Sequence, residues 1–320
     1  MQKRRFFDAT TMVGERGIKH RLDAWRTEEL ISEMERIGVA GALIYHGIAR
    51  EYDPMYGNML LLEELKKSPR LSGCWIGLPH HMGDFPRPAE FVAKMRENSI
   101  VGTKLFPKTH GYSINQRTVG ELLQTLQDEK IPLLIENSEL SYEDIAWVLD
   151  RFPRLNLILQ GVYWGQEREI LPLMEAFLNL YLEFSSFQAN AIIEEFAERF
   201  GAERLLFGSD FPSKNIGAAK AFIDYARLSE GDKDSIAGGN LSRLTGTFPP
   251  EPAEILSNDK ILMAAMDGKP LTDILVIDGH AHLLHDGARG AAKYPMAQSD
   301  IYGMMEINKS MGIDVTCISS

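Results

Sequence analysis

Cysteine is nearly absent from this sequence of 320 residues, which contains only Cys74 and Cys317. Two cysteines so far apart along the chain exclude a disulfide framework, and they also exclude a zinc site built on several cysteines. Chains with so little cysteine are typical of reducing compartments. We therefore predict a cytoplasmic protein.

Basic residues and long apolar runs are also scarce. Lys and Arg number 34 against 45 Asp and Glu, which gives a formal net charge of -11. An acidic surface disfavours nucleic acid and anionic lipid as partners. No apolar run approaches the roughly 20 residues that cross a bilayer, and the basic N-terminus lacks the apolar segment of a signal peptide. We expect no nucleic-acid partner, no membrane span and no signal peptide.

Short apolar runs alternate with longer amphipathic runs along most of the chain. Continuous runs of Leu, Ile, Val and Phe are typical of strands buried on both faces of a parallel sheet. Eight strand–helix units within about 230 residues predict a closed (β/α)₈ barrel of the α/β class over residues 1–248. An open doubly wound sheet also alternates, but no Gly-rich dinucleotide loop is present. The predicted strands are 5–9, 40–46, 72–79, 100–107, 131–137, 155–161, 180–186 and 204–212.

The C-terminal segment resembles the start of the chain. Residues 249–274 begin Pro-rich and predict a linker with one short helix. Beyond it, Asp278 aligns with Asp8, residues 304–318 align with 30–44, and Gly312 aligns with Gly38. Such internal similarity predicts that residues 275–320 begin a second, similar barrel (β-α-β). Chance likeness between two strand–helix–strand units is the alternative. Because the sequence ends in the second of these strands, we expect a fragment of a longer two-barrel protein.

The sharpest motif is Asp278-Gly279-His280-Ala281-His282, which follows an apolar strand. Residues two apart in a strand point to the same face, and neutral imidazole is a preferred Zn²⁺ ligand. We therefore predict that His280 and His282 are metal ligands. The alternative is a surface loop with incidental histidines.

Several segments together resemble the amidohydrolase superfamily, in particular its amidohydrolase-2 branch of metal-dependent hydrolases and decarboxylases. VIDGHAHL (276–283) resembles the first-strand metal motif of that branch. Five segments of the predicted barrel also resemble the branch, in its usual order: 102–107, 131–137, 153–161, 179–186 and 204–212. The resemblance covers 5–248 along its length and 275–320 only as an opening. It implies a divalent metal, zinc by expectation, in a complete second domain.

The first barrel departs from the ligand pattern that the resemblance implies. Members have an HxH pair after strand one, histidines after strands five and six and an aspartate after strand eight. Here the HxH positions hold Thr10 and Met12, and the strand-five position holds Glu136. The strand-six position is Gly161, or Gln160 in the alternative register, and Asp210 alone is retained. Thioether and hydroxyl groups are poor Zn²⁺ ligands, so we expect no metal in residues 1–248.

Other polar residues follow the predicted strands of the first barrel, where barrels place their sites. We predict Asp210, Lys104 and Glu136 as catalytic candidates, since a lysine between carboxylates can orient an acidic substrate or exchange protons. Substrate-binding candidates are Asp8, His46 and Arg50, the last through a bidentate contact with a carboxylate. A satisfied ion-pair network that plugs the barrel top is the alternative.

Three functions remain open from the sequence. The protein is a metal-dependent hydrolase or decarboxylase acting on a small molecule, with its metal in the second copy. Alternatively, the first barrel is a non-catalytic pseudoenzyme that binds a ligand or supports a catalytic barrel, or it is a metal-independent enzyme. The expected partners are a small-molecule substrate and either a further chain in a homo-oligomer or a second amidohydrolase barrel.

Overall fold

Eight parallel strands form the body of the molecule. The computed structural model describes residues 4–17, 24–255, 257–284 and 300–319. Each of the eight predicted strands is present, with bounds that differ by a few residues from the prediction. The strands are β1 (Phe6–Val13), β2 (Val39–His46), β3 (Leu71–Ile76), β4 (Ile100–Leu105), β5 (Leu133–Glu136), β6 (Leu157–Gln160), β7 (Leu180–Glu183) and β8 (Leu205–Leu206).

The strands lie side by side in sequence order from β1 to β8. Backbone bonds from β1 to the segment after β8 bring the two ends together, with Ala9 N donating to Phe207 O at 3.0 Å and Met12 N donating to Phe211 O at 3.1 Å. The predicted (β/α)₈ barrel is therefore confirmed, and the open doubly wound sheet is excluded.

Helices surround the eight strands, and further helices follow the barrel along the chain. No helix in the described part of the chain is both long and apolar enough to cross a membrane. The helices are α1 (Thr27–Ile37), α2 (Gly47–Glu51), α3 (Pro54–Leu65), α4 (Pro88–Glu97), α5 (Gly120–Asp128), α6 (Tyr142–Arg151), α7 (Glu167–Ala176), α8 (Ile192–Phe200), α9 (Ile216–Asp224), α10 (Glu230–Asp234), α11 (Asn240–Thr245), α12 (Lys260–Met266) and α13 (Ile301–Met311).

The apolar side chains of the strands divide between two cores, as alternation along a strand requires. One core lies between the strands and the helices and includes Leu30, Leu133 and Phe196. The second fills the barrel interior and includes Leu43 and Phe106. Apolar side chains fill the barrel interior up to the carboxyl ends of the strands, where polar side chains replace them. The candidate site therefore lies at this end, which is the mouth of the barrel.

The segment after the barrel contacts it at two places, and its described residues between 249 and 274 include the helix α12. Lys220 Nζ donates to Met266 O at 2.9 Å, and Arg70 Nη1 donates to Glu251 O at 2.9 Å. The chain then continues into a smaller unit.

This C-terminal unit consists of β9 (Ile277–His282), α13 and β10 (Val315–Ser319), with the two strands paired in parallel. Of the second barrel that the sequence predicted, the described residues show only this two-stranded sheet and its helix. Two strands cannot bury both faces of a parallel sheet. Ile277, Val315 and Ile318 are accordingly 55%, 47% and 52% exposed.

The C-terminal unit repeats the β1-α1-β2 geometry pair by pair. Asp8 pairs with Ala42 as Asp278 pairs with Thr316, and the shift in register after this pair occurs at the same place in both sheets. The next equivalent pairs are Thr11 with Ile44 and Ala281 with Ile318, then Met12 with Tyr45 and His282 with Ser319.

The helices of the two units also end alike. Both α1 and α13 have 11 residues, and each is followed by a left-handed glycine, Gly38 with φ 73° and Gly312 with φ 75°. Each first strand carries an aspartate whose Oδ1 accepts a bond from the backbone N–H two residues on, at 3.0 Å for Asp8 and 3.1 Å for Asp278. Thr10 and Met12 therefore occupy the places that His280 and His282 occupy in the second unit.

Candidate active site

The candidate site lies at the carboxyl ends of the strands, where side chains from β1, β2, β4 and β5 meet residues that follow β8. In this conformation the cavity has a volume of about 20 Å³, room for about one water molecule. Its lining includes four of the predicted catalytic or substrate-binding residues and two unpredicted side chains. The predicted residues are Lys104, Glu136, Asp210 and Arg50, and the unpredicted ones are Arg16 and Tyr45.

Glu136 lies between two cations. Its Oε1 accepts a bond from Lys104 Nζ at 2.9 Å, and its Oε2 lies 3.4 Å from Arg50 Nη2. Burial opposes the charge of the carboxylate, but the attraction of Lys104 and Arg50 outweighs it and holds the pKa of Glu136 below its ordinary value. Glu136 is therefore an ionised acceptor held between two positive charges.

Lys104 is 2% exposed, so its charge needs compensation from the protein. Burial alone would lower the pKa of its ammonium group, but Glu136 and Tyr45 outweigh burial and raise it. Its Nζ also lies 4.8 Å from the ring centre of Tyr45 and 5.0 Å from that of Phe106, within cation–π range. Lys104 therefore remains protonated, which suits an electrostatic anchor better than a base.

Asp210 stands at the rim with a backbone φ of 58°, a left-handed conformation that aspartate tolerates better than most residues. Its Oδ2 lies 3.6 Å from Lys214 Nζ. Burial raises the pKa of the carboxyl despite the opposing charges of Lys214 and Lys104. Of the three catalytic candidates, Asp210 is the one whose pKa moves toward neutral pH.

Two further carboxyls lie beneath the mouth. Asp8 is fully buried, and its Oδ1 accepts backbone bonds from Thr10 and Ser209, both at 3.0 Å. Glu183, at the end of β7, is equally buried and accepts a bond from the Ser185 hydroxyl at 2.8 Å. Burial raises the pKa of each carboxyl to about 7. The sequence analysis missed Glu183, although a carboxylate that ends an apolar strand is the signal that identified Glu136.

Gln160, and not Gly161, faces the interior from β6. Its amide nitrogen donates to Thr10 Oγ1 at 2.9 Å and to Ala9 O at 2.7 Å. Two residues at positions where the resemblance predicted histidine ligands thus hydrogen-bond each other. Met12 offers a thioether, and Glu136 is engaged by two cations. These donors do not fit a zinc ion, because neither a thioether nor a carboxylate already paired with two cations is a good zinc ligand.

The structure places His46 apart from the mouth. Helix α2 begins immediately after β2, and the ring turns to cap it, with Nδ1 accepting a bond from Ile48 N at 3.2 Å. The ring also packs over Gly14, where an added Cβ would lie 2.4 Å from Cε1. Burial lowers the pKa of this imidazole. The substrate-binding role predicted for His46 has no contact here that supports it, whereas Arg50 faces the mouth as the sequence suggested.

His280 and His282 converge in the C-terminal unit, with their Nε2 atoms 3.2 Å apart. They line a cavity of about 420 Å³ between this unit and the barrel loops that carry Trp164 and Gln188. Across the described ranges, no group of three or more His, Cys, Asp or Glu side chains is arranged to hold a metal ion. The metal-ligand role predicted for this pair stays a prediction.

Comparisons with known proteins agree with this architecture. A sequence model described as amidohydrolase matches residues 55–244. The fold is similar to that of 5-carboxyvanillate decarboxylase from Sphingomonas paucimobilis, with a TM-score of 0.62 and 16% identity over 77% of this chain and 100% of that one. It is also similar to 2,6-dihydroxybenzoate decarboxylase from Rhizobium, with a TM-score of 0.57 and 16% identity over 77% and 99% of the chains.

A third similar structure is dihydroxybenzoic acid decarboxylase from Polaromonas sp. with bound manganese and 2-nitroresorcinol. Its TM-score is 0.55, with 16% identity over 76% of this chain and 97% of that one. At these identities the likeness concerns the fold. A comparison with curated proteins finds no match for this chain.

Proposed function

Because the chain belongs to the amidohydrolase family, we propose that it carries two units of that family with different roles. In this proposal the metal-dependent hydrolase or decarboxylase chemistry, on a small-molecule substrate, belongs to the unit that begins at residue 275. The barrel formed by residues 4–248 does not hold zinc in the family manner. The cytoplasmic location that the scarcity of cysteine predicts for the protein stays a prediction.

The equivalence of the two first strands carries this proposal. Register, bulge and the aspartate turn are shared, yet one strand holds Thr10 and Met12 where the other holds His280 and His282. Two imidazoles whose Nε2 atoms lie 3.2 Å apart need only a small adjustment to share a divalent ion. Manganese in the Polaromonas relative supports a divalent metal as the cofactor class. When bound, such a metal lowers the pKa of a water molecule and polarises the scissile group.

Metal titration of the full chain tests the proposal. We expect Zn²⁺ and Mn²⁺ to bind weakly, because catalytic zinc sites use three protein ligands and the pair supplies two. The double change His280→Ala with His282→Ala should abolish this binding. The matched control is His80→Ala with His81→Ala, which removes the same number of imidazoles from the loop after β3 and should leave binding unchanged.

Two results would contradict the proposal. Zinc retained after loss of His280 and His282 would place a metal elsewhere, including the barrel mouth. Tight zinc binding with efficient turnover by these 320 residues would mean that the two ends build one shared site, and the reading of 275–319 as a second copy would be wrong.

The arrangement of the mouth favours a second candidate function for the first barrel. The Lys104–Glu136–Arg50 cluster and the Gln160–Thr10 bond replace metal ligands with direct protein contacts. A barrel of this kind is suited to bind a ligand or to support a catalytic barrel, in the same chain or in a homo-oligomer. Metal-independent acid–base chemistry by Asp210, beside Lys104 and Glu136, is the corresponding catalytic alternative.

A further inference from the structure

The cavity of about 420 Å³ between the C-terminal unit and the barrel is large enough for a small organic molecule. A cavity of about 150 Å³ already holds benzene, so this one has room for a ring with a polar substituent. One wall is built from β9 and α13, and the other from the barrel loops that follow β6 and β7. Clefts between two units are common places for small-molecule sites. The chemistry of the two walls decides which molecule fits.

The loop after β6 contributes Trp164, which is half-buried, to the barrel wall. The side chain of Gln166 holds this loop in place, because its Oε1 accepts bonds from Tyr163 N and from Asn137 Nδ2, both at 3.0 Å. Among aromatic side chains, an indole attracts a cation over its face most strongly. This wall therefore combines an apolar surface with an affinity for positive charge.

The loop after β7 contributes Gln188 to the same wall. Phe187, the preceding residue, anchors the loop in the core, where its ring stacks on Phe184 at 5.9 Å and meets Phe196 edge-on at 5.4 Å. The amide nitrogen of Gln188 donates to Ser185 O at 3.3 Å. Because a carbonyl oxygen only accepts, this bond fixes the orientation of the amide and leaves its Oε1 as an acceptor.

The wall formed by the C-terminal unit offers acceptors as well. Asp278 Oδ1 accepts the bond from His280 N, which leaves Oδ2 as the second acceptor of this carboxylate. Asn308 Nδ2 donates to Thr316 Oγ1 at 2.7 Å, which leaves its Oδ1. With histidine counted as neutral, Asp278 carries the one formal charge among the described residues that line the cavity. The two walls thus offer a ligand acceptor atoms and a negative charge.

We propose that this cavity binds a small protonated amine with an apolar body. The ammonium group, which has donors and no acceptor, bonds to Asp278 and Gln188 beside the indole of Trp164. Met304 and Ile307 of α13 contact the apolar body. An ammonium group that leaves water needs a carboxylate to compensate its charge, whereas an anion would meet Asp278 with like charge. The net charge of -11 favours the approach of a cation.

This inference goes beyond the metal proposed for His280 and His282. Both histidines line the same cavity, but other residues supply the acceptors and the charge that recognise an ammonium group. The site also needs residues of both units. A bound amine therefore links the C-terminal unit to the barrel.

Calorimetric titration of the full chain at neutral pH tests the inference, after divalent metal has been removed with a chelating resin. The probes are phenethylamine, ethylamine and 2-phenylethanol. We expect phenethylamine to bind most tightly, because ethylamine lacks the apolar body and 2-phenylethanol has a similar shape without the charge.

Variants with matched controls identify the residues that act. Asp278→Asn should weaken phenethylamine binding about tenfold or more, since it removes the charge from a charge-assisted bond and keeps an acceptor for His280 N. Asp273→Asn changes the net charge equally in the exposed linker and should leave affinity unchanged. Trp164→Ala should weaken binding, and Trp164→Phe should weaken it less. Tyr163→Ala removes the neighbouring ring, which is 56% exposed, and should have no effect.

Hydrogen exchange reports whether the amine contacts both units. Saturating phenethylamine should slow exchange of the amides of 277–282, because a ligand stabilises the arrangement that binds it. Exchange that phenethylamine leaves unchanged would show that the C-terminal unit takes no part in the site.

Other results would also overturn the inference: equal affinity in Asp278→Asn and Asp273→Asn, equal affinity in Trp164→Ala and Tyr163→Ala, 2-phenylethanol that binds as tightly as phenethylamine, or no heat from phenethylamine. Because the chain is metal-free in these experiments, none of the outcomes depends on whether His280 and His282 hold zinc.

Discussion

Asp8 and Glu183 are carboxyls that burial holds close to neutrality. Both lie inside the barrel, where burial raises the pKa of each to about 7, and the charge of Asp8 further disfavours ionisation of Glu183. Asp8 Oδ2 and Gln160 Oε1 are buried without a hydrogen-bond partner among the described residues. A proton on a carboxyl converts an unpartnered acceptor into a donor. The interior beneath the mouth is thus a place where protonation state and packing depend on each other.

Stability should therefore fall as pH rises from about 4.5 to 8. The pKa of Glu183 is about 7 in the folded chain against an ordinary 4.5, so the folded state keeps a proton that the unfolded state loses. Its contribution is fully present below the unfolded pKa and is lost as pH rises through the folded one. A shift of this size corresponds to about 3 kcal/mol. Urea unfolding across this range measures the slope.

Glu183→Gln should reduce the loss of unfolding free energy between about pH 4.5 and 8 by about 3 kcal/mol. The reason is that the amide keeps the contacts with Ser185 and does not titrate. The control is Glu143→Gln on the exposed side of α6, which alters the net charge equally. An unchanged pH profile in Glu183→Gln would mean that this carboxyl is ionised in the folded protein at neutral pH.

Single residues were predicted from the sequence where strand direction alone decides their position. Lys104, Glu136 and Asp210 were expected to meet because parallel strands bring their carboxyl ends together, and the structure places all three at the cavity. His46 follows the same rule along the chain, but α2 begins at the next residue and the ring serves as its cap. Tyr45, a residue earlier, lines the mouth instead. Local helix capping competes with strand position and is not visible in an apolar pattern.

Helix ends in this protein depend on glycines in the left-handed region. Gly38 ends α1, and an added Cβ would lie 3.0 Å from Ile255 Cδ1. Gly246 ends α11 with φ 69° and nothing within 4 Å of the same position. The two glycines therefore separate the cost of backbone strain from the cost of a side-chain contact.

Gly246→Ala should lower the free energy of unfolding by about 1 kcal/mol, the cost of a left-handed alanine. Gly38→Ala should lower the free energy of unfolding by more, because this substitution strains the backbone and also requires Ile255 to move. Urea unfolding of both variants measures the difference. Equal losses would show that Ile255 moves aside freely, and no loss in Gly246→Ala would mean that α11 ends differently from the structure.

Whole elements were more predictable than their ends. Helix α6 was expected from its amphipathic run, and it begins at a capping box in which Asp144 N donates to Ser141 Oγ at 3.1 Å. The strand predicted at 204–212 is regular only over two residues, Leu205 and Leu206, and the remainder of the predicted range includes the left-handed backbone at Asp210. Barrel closure takes place within this remainder, through Phe207 and Phe211. Backbone bonds between segments so far apart along the chain leave no signal in the local sequence.

At the scale of the molecule, the barrel and the C-terminal unit have the same local geometry in very different surroundings. Every residue of β1 and β2 is buried, whereas no residue of α13 is. The sequence repeat predicted a likeness between the two units, and the shared register supports it. What the repeat could not predict is how much apolar surface the second unit leaves uncovered, because burial depends on neighbours and not on pattern.

This difference in burial predicts unequal hydrogen exchange along the chain. Opening free energy rises with the number of buried apolar contacts, and an isolated pair of strands is at best marginally stable in water. Amides of 277–282 and 315–319 should exchange much faster than those of 6–13 and 39–46, despite the equivalent hydrogen-bond register. Exchange measured by mass spectrometry on the full chain at several protein concentrations tests this. Slower exchange of the C-terminal unit at higher concentration would indicate that copies of the chain cover its apolar face. Protection equal to that of β1 and β2 at every concentration would contradict the prediction. It would mean that the C-terminal unit is stabilised by contacts with the barrel of the same chain.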